Sequence, residues 1–290
     1  MNRRHFQHGL ALGLAGATLG LQAQENARPD ADPWARIEAT SGGRLGIAVL
    51  DTATGRLDGH RLDERFPMAS TFKWLVAALV LQRVDHALEQ LERRIRYGRE
   101  VLIAHSPVTE RHAGAEGITV RALCEAIVTV SDNAGANLLL DSFGGPAALT
   151  RFARSLGDGM TRLDRRELAL NEARPGDPRD TTTPRAMAGL LNRAVLGDVL
   201  SPASRALLVQ WLEAARTGLT RLRAALPADW RAGDKTGSGQ RGTSNDVAVF
   251  WPPQRAPLVV AAYLTGSDRP MEHRNATLAA VGRAVVARVA

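Results

Sequence analysis

Residues 258–265 read Leu-Val-Val-Ala-Ala-Tyr-Leu-Thr, a short apolar run with the character of a buried β-strand. Just upstream, residues 245–252 read Asn-Asp-Val-Ala-Val-Phe-Trp-Pro and are β-like in the same way. Near the other end of the chain, residues 45–51 (Leu-Gly-Ile-Ala-Val-Leu-Asp) form a third such run. Thr-Ala-Thr-Gly follows, then a short segment through His60, the pattern of a β-hairpin with a Gly-containing turn. Between these ends the pattern is helical. A long, mostly apolar helix is expected over 71–91, further helices over 120–130, 134–143, 146–156, 184–194 and 202–217, and a final one over about 271–289. Strands at both ends with helices between them predict one sheet assembled from the two termini and a helical insertion, an α+β arrangement.

Composition sets the outer bounds. The chain has 290 residues, a formal net charge of +7, 44% apolar and 23% charged residues, with 27 Gly and 14 Pro. These values exclude collagen, coiled coil and wholesale disorder and fit one large domain or two modest ones. The single cysteine, Cys124, rules out an intramolecular disulfide and a thiolate metal cluster. The basic balance invites a nucleic-acid reading, but aromatics are only 4% and the arginines are interleaved with acids, as in Asp63-Glu64-Arg65 and Glu92-Arg93-Arg94. With no basic tract and no aromatic platform, nucleic acid is not an expected partner. Residues 1–23 carry Arg3-Arg4, an apolar Gly/Ala/Leu stretch over 9–21 and then Gln22-Ala23. That is the form of an export signal cleaved near Ala23, and the arginine pair followed by Phe6 resembles a twin-arginine address. The stretch is too short to span a membrane. The expectation is a periplasmic protein with no stable membrane association once the signal is removed.

Only two of the 37 basic residues are lysine, Lys73 and Lys235. A GC-rich genome accounts for the depletion but not for the two survivors. Lysine differs from arginine in being compact and able to lose its proton, so these two are the first residues to consider. Lys73 closes the stretch Ser70-Thr71-Phe72-Lys73 at the expected start of the long helix, which puts Ser70 and Lys73 on one face, i and i+3. A serine hydroxyl is a weak nucleophile, and a desolvated neutral amine can act as its base, with the helix N-terminus favouring an oxyanion. Ser131-Asp132-Asn133 offers a hydroxyl that can shuttle a proton and an amide that can donate to a carbonyl, although the same triplet is a favoured helix N-cap. Lys235-Thr236-Gly237 places an ammonium and a hydroxyl on a strand edge beside a glycine, which suits a carboxylate, although it is equally an ordinary strand end before a tight turn. Taken singly, each triplet has a bland explanation.

Taken in order, Ser-x-x-Lys, Ser-Asp-Asn and Lys-Thr-Gly resemble the three signatures of the penicilloyl-serine transferases. A fourth stretch selects the branch. Residues 162–184 are charged and contain Pro and Gly, with Glu167 and Asn171 four apart, and they resemble the Ω-loop of class A serine β-lactamases. Penicillin-binding proteins share the three signatures and lack this pair. D-alanyl-D-alanine carboxypeptidases, penicillin-binding proteins and penicillin-sensing domains are the alternatives. The resemblance implies a three-layer α/β/α unit with a five-stranded antiparallel sheet (24–62 and 216–290) plus an all-helical domain (63–215, containing the loop 162–180). It also implies a monomer that acts on small β-lactam substrates without a cofactor. The seven histidines form no His-x-His-x-Asp cluster, so no metal is expected.

The resemblance also distributes roles. Ser70 attacks the β-lactam carbonyl, with Lys73, or Glu167 through a water, as base; Ser131 relays the proton to the leaving nitrogen. Glu167 and Asn171 position the deacylating water, and the N–H groups of Ser70 and Ser238 form the oxyanion hole. Asn133, Lys235, Thr236 and Ser238 bind substrate. The supporting arginine found in many members is expected at Arg221, because Ser244 occupies the alternative position. Arg165 and Asp180 match an ion pair at the loop ends. Leu168 stands where many members carry a proline after a cis peptide. His105 stands at a position often aromatic at the site entrance. Ala69, and not cysteine, precedes Ser70, so the disulfide of some carbapenem-hydrolysing members has no counterpart.

Overall fold

The computed structural model describes residues 32–289; the expected signal segment 1–23 lies outside them. In chain order the elements are α1 (Pro33–Ser41), β1 (Arg44–Asp51), β2 (Leu57–His60), β3 (Phe66–Pro67), α2 (Phe72–Asp85), β4 (Arg94–Tyr97) and β5 (Gly114–Thr119). Then come α3 (Val120–Thr129), α4 (Asn133–Ser142), α5 (Gly145–Ser155), β6 (Thr181–Thr182), α6 (Pro184–Val195) and α7 (Pro202–Glu213). The chain closes with β7 (Arg231–Gly239), β8 (Thr243–Trp251), β9 (Leu258–Thr265) and α8 (Met271–Ala287).

The main sheet has five antiparallel strands in the order β2-β1-β9-β8-β7, so strands from both ends of the described chain pair directly, with Ile47 opposite Ala262. This is the sheet expected from the sequence. Its central strands lack polar alternation because both faces are covered. Leu45, Ile47, Val260, Ala262 and Leu264 pack on one side with Trp34 of α1 and Leu278, Val281 and Val285 of α8. Val247, Val249, Val259, Ala261 and Tyr263 face the other side, toward Phe66, Met68 and the helices. Two layers of helix thus enclose one of strand. Helix α2 has no solvent face over its first ten residues, since 72–81 are all buried, which is why it reads as a continuous apolar run.

Two helices end earlier than the sequence pattern suggests, each because a tertiary contact takes over. Helix α2 stops at Asp85, where Ala87 turns to φ +58° and the Asp85 carboxylate accepts from Ser201 N (2.8 Å), Ser201 Oγ (2.7 Å) and Ser204 Oγ (2.6 Å) at the head of α7. Helix α7 stops at Glu213, and shortly afterwards the Arg216 N–H is diverted to the Thr129 carbonyl at 2.9 Å.

Candidate active site

The turn that starts α2 is over-determined. Ala69–Thr71 is a single 3₁₀ turn, and Ala69 adopts φ +43°. Asn245 Nδ2 donates to the Pro67 (2.9 Å) and Met68 (3.0 Å) carbonyls, while the Thr71 hydroxyl bonds Met68 O at 2.9 Å and meets the Tyr263 hydroxyl at 3.1 Å. Edge strand β7 passes directly over this turn. A Cβ on Gly237 would fall 2.7 Å from Met68 O and 3.1 Å from Ser70 N, so only glycine lets the strand lie this close.

Ser70 is 9% exposed and Lys73, one turn on, is fully buried. Ser70 Oγ donates to Glu167 Oε1 at 3.3 Å, and Lys73 Nζ lies 3.1 Å from the same oxygen. Lys73 also donates to Ser131 O (2.8 Å) and Asn133 Oδ1 (2.5 Å), and its Nζ is 3.3 Å from Ser131 Oγ. Burial pushes the Lys73 amine below the usual lysine range, and the neighbouring Glu167 charge opposes that drop. Lys235 Nζ approaches Ser131 Oγ from the opposite strand at 3.1 Å, so two amines flank one hydroxyl. Burial first, and the Lys73 charge second, lower Lys235 to about 7.

Ser131 takes φ +62° between α3 and α4. Behind it the fully buried Asp132 accepts Val108 N and Thr109 N (both 2.9 Å), Thr109 Oγ1 (2.8 Å) and Gly135 N (2.8 Å). One carboxylate therefore caps α4 and ties it to segment 105–109. Asn133 donates its N–H to His105 O (3.0 Å) and its Nδ2 to Ala104 O (2.8 Å), and His105 Nε2 sits 2.9 Å from Val130 O.

The loop 162–180 brings Glu167 in from the other side. Arg165 Nε pairs with Asp180 Oδ2 at 2.6 Å, and the other Asp180 oxygen accepts the N–H groups of Asp164 (2.7 Å) and Arg165 (2.9 Å). The Glu167 backbone is clamped twice by Asn137, through N to Oδ1 (3.0 Å) and Nδ2 to O (2.9 Å), and the Glu167–Leu168 peptide is cis. Asn171 Nδ2 donates to Glu167 Oε2 at 2.5 Å, while Asn171 O accepts Gln240 N at 2.9 Å. The buried Asn171 Oδ1 has no partner among the described residues, leaving an acceptor that a water can fill.

Arg221 is 5% exposed and runs beneath the edge strand. Its Nη1 donates to Gly237 O (2.9 Å) and Asn245 O (2.7 Å), its Nη2 to Ser238 Oγ (2.7 Å) and its Nε to Asn275 Oδ1 (2.9 Å). Thr236 Oγ1 bonds Thr217 Oγ1 at 2.6 Å. Ser244 instead accepts from Arg274 Nε at 3.1 Å. On the same face of β7 and β8, Asp234 and Asp246 occupy diagonal buried positions; burial raises both, Arg223 at 3.0 Å opposes the rise at Asp234, and the Asp234 charge raises Asp246 further.

These groups surround a cavity of about 570 Å³. Ser70, Ser131, Asn133, Asn171, Thr236, Ser238, Arg221 and His105 all line it, whereas Arg165 and Asp180 pair at the loop base. Leu168, Thr217 and Gln240 line it too and were not anticipated. Asn137 and Asn245 were also missed. An amide beside the Leu138–Leu140 run on α4 is the one signal that marks Asn137; nothing local marks Asn245. Among the described residues no group of three or more His, Cys, Asp or Glu could hold a metal ion, and no helix is long and apolar enough to cross a membrane. The arrangement joins the Ser70 hydroxyl to Glu167, Lys73 and Ser131, each able to carry a proton, beside a strand edge that bears Lys235.

Comparison with known proteins gives consistent relatives. The model of the β-lactamase enzyme family matches residues 32–289. β-Lactamase AST-1 of Nocardia asteroides is 51% identical over 257 residues, covering 88% of this chain and 83% of its own. The carbapenem-hydrolysing β-lactamase KPC of Klebsiella oxytoca is 47% identical, covering 87% and 86%. Among solved structures, an ancestral class A β-lactamase aligns with a TM-score of 0.87 at 64% identity, covering 88% of this chain and 97% of that one.

Proposed function

Because the chain belongs to the class A β-lactamases, hydrolases of the β-lactam amide, we propose that it works through an acyl-enzyme on Ser70 that is released by a water activated by Glu167. The observation that carries this reading is the convergence on one carboxylate: Ser70 Oγ at 3.3 Å and Lys73 Nζ at 3.1 Å from Glu167 Oε1, with Asn171 Nδ2 at 2.5 Å from Oε2. One oxygen faces the nucleophile and its buried amine. The other, with the unpaired Asn171 Oδ1, frames a position for the hydrolytic water. Glu167 Oε1 meets Ser70 Oγ directly and Lys73 Nζ meets the same oxygen, so Glu167, or Lys73 beside it, serves as the base during acylation.

Attack on the lactam carbonyl places negative charge on its oxygen. The Ser70 N–H, at the head of α2, and the Ser238 N–H, on edge strand β7, receive it; one such donor is worth about 10²–10³ in rate. Ser131, between two amines, passes a proton to the leaving nitrogen. Lys235, Thr236 and Ser238, with Arg221 behind Ser238, take the substrate carboxylate, and the Asn133 amide and His105 meet the rest of the ligand. Residues 1–23 direct export and are cleaved near Ala23, which makes the mature protein a periplasmic monomer. The sheet-bearing segments 24–62 and 216–290 and the helical segment 63–215 act as two domains that contribute facing halves of the cleft.

The test is a comparison of nitrocefin turnover by the wild type with the fate of benzylpenicillin on Glu167→Ala. The wild type turns over, and the variant accumulates a penicilloyl adduct on Ser70 seen as a stable mass increase. A variant that turned nitrocefin over at the wild-type rate and held no adduct would remove Glu167 from the deacylation role. A long-lived adduct on the wild type would instead mark a penicillin-binding relative.

A further inference from the structure

A second cavity, of about 560 Å³, shares no lining residue with the cleft and lies against the outer limb of the loop, residues 173–178. Four guanidinium groups from separate parts of the chain line it: Arg44 on β1, Arg65 just before β3, Arg174 on the limb itself and Arg241 in the β7–β8 turn. The one acid in the wall, Asp177, is already held by Arg179, with Nη2 to Oδ2 at 2.7 Å. Arg44 pairs with Glu64 at 2.9 Å and lies 3.9 Å over the Phe66 ring, and Arg174 pairs with Glu172.

Arg65 and Arg241 have no carboxylate partner among the described residues. Arg65 places Nη1 on Met160 O (2.8 Å) and Thr181 Oγ1 (3.0 Å), which leaves Nε and Nη2 unused. Among the described residues the Arg241 guanidinium bonds only the Glu172 carbonyl. The limb is also weakly tied, because the ion pairs made by residues 173–178 stay within the loop. The concave wall therefore carries four arginines against one carboxylate and lies beside a weakly tied segment. Planar guanidinium forks match phosphate-type oxygens, which can accept from several at once.

We propose that this cavity is a binding site for a small polyvalent oxyanion of the phosphate or pyrophosphate type, which bridges Arg174 on the loop to Arg65 and Arg241 on the body. The bound anion clamps the outer limb of the loop whose inner limb carries Glu167 and Asn171. The site is separate from the hydrolytic cleft and does not depend on the mechanism assigned there.

Titration calorimetry of the full protein with sodium pyrophosphate and with inorganic phosphate, at constant ionic strength, reads the site directly. Saturable binding is expected, tighter for pyrophosphate, and weakened at least about tenfold in Arg65→Gln and in Arg241→Gln, each of which loses a charge-assisted contact. Arg241 is an exposed turn residue, so R241Q keeps the test valid if R65Q fails to fold. Hydrogen exchange of amides 173–178 slows on adding pyrophosphate. Binding unchanged in both variants, no saturation below about 10 mM, or loss of binding in Arg221→Gln with retention in R65Q and R241Q would each overturn the assignment; the last outcome would place the anion in the cleft.

Discussion

Replacing Asp132 isolates what holds the Ser131–Asn133 turn against the segment that carries His105. Its two oxygens accept three backbone N–H groups and one hydroxyl, all at 2.8–2.9 Å and all in the interior. In Asp132→Ala the Thr109 hydroxyl can fall back on Ser106 O, already 3.4 Å away, but the N–H groups of Val108, Thr109 and Gly135 have no substitute. At about 1–3 kcal/mol for each of the three orphaned donors, the loss comes to about 3–9 kcal/mol, a large share of the 5–15 kcal/mol typical of a domain. Asp132→Asn should cost about half as much. Its single acceptor is best aimed at the Val108 and Thr109 N–H pair, which leaves its own NH₂ facing the Gly135 N–H, donor against donor. Urea unfolding followed by far-UV circular dichroism measures both, with an unchanged m-value required for the comparison. A loss below about 1 kcal/mol for Asp132→Ala, or an Asn variant as damaged as the Ala one, would refute the reasoning.

Arg221→Ala should raise KM for carboxylate-bearing β-lactams by roughly 10–100-fold, with a smaller change in kcat, since it removes a charge-assisted contact that supports Ser238; equal KM in steady-state assays would contradict this. Lys235, lowered from an ordinary 10.5 to about 7, loses the charge that attracts a carboxylate as pH rises past 7, so kcat/KM should fall across that limb. Over the same 7–10.5 window the unfolded chain binds more protons at this residue than the native one, so its contribution to stability rises with pH. A kcat/KM profile flat across the window would count against the lowered value. Cys124 is fully buried with its thiol pushed far up by desolvation, so Ellman's reagent should leave the native protein unlabelled and react with its single cysteine only after denaturation.

The residues that the proposed chemistry uses were legible as a set because they are local patterns. Ser70 and Lys73 are one helical turn apart, Ser131-Asp132-Asn133 and Lys235-Thr236-Gly237 are contiguous, and lysine is otherwise absent. The strands were legible because a run buried on both faces stays apolar throughout, as in β9. What the pattern hides is decided by distant partners. Helix α2 ends where Asp85 is taken up by Ser201 and Ser204, more than a hundred residues away. Asn245 acts on the Pro67 and Met68 carbonyls, and Asn137 on the Glu167 backbone; each is an unremarkable amide in its own neighbourhood. Helix α1 (Pro33–Ser41) escaped notice because its apolar face is little more than Trp34 packed at the edge of the sheet.

Because the first ten residues of helix α2 are buried and Ser70 lies in the buried turn at its head, the Ser70 hydroxyl and the Lys73 amine are fixtures of the core, and reshaping them disturbs the packing around that helix. His105, Leu168 and Gln240 hang at the mouth of the cleft on connecting segments, with Leu168 43% exposed. Drift at the mouth is therefore cheap and drift at the centre ruinous. A lineage built on this scaffold can vary what the mouth of its cleft offers a ligand while the interior beneath stays frozen.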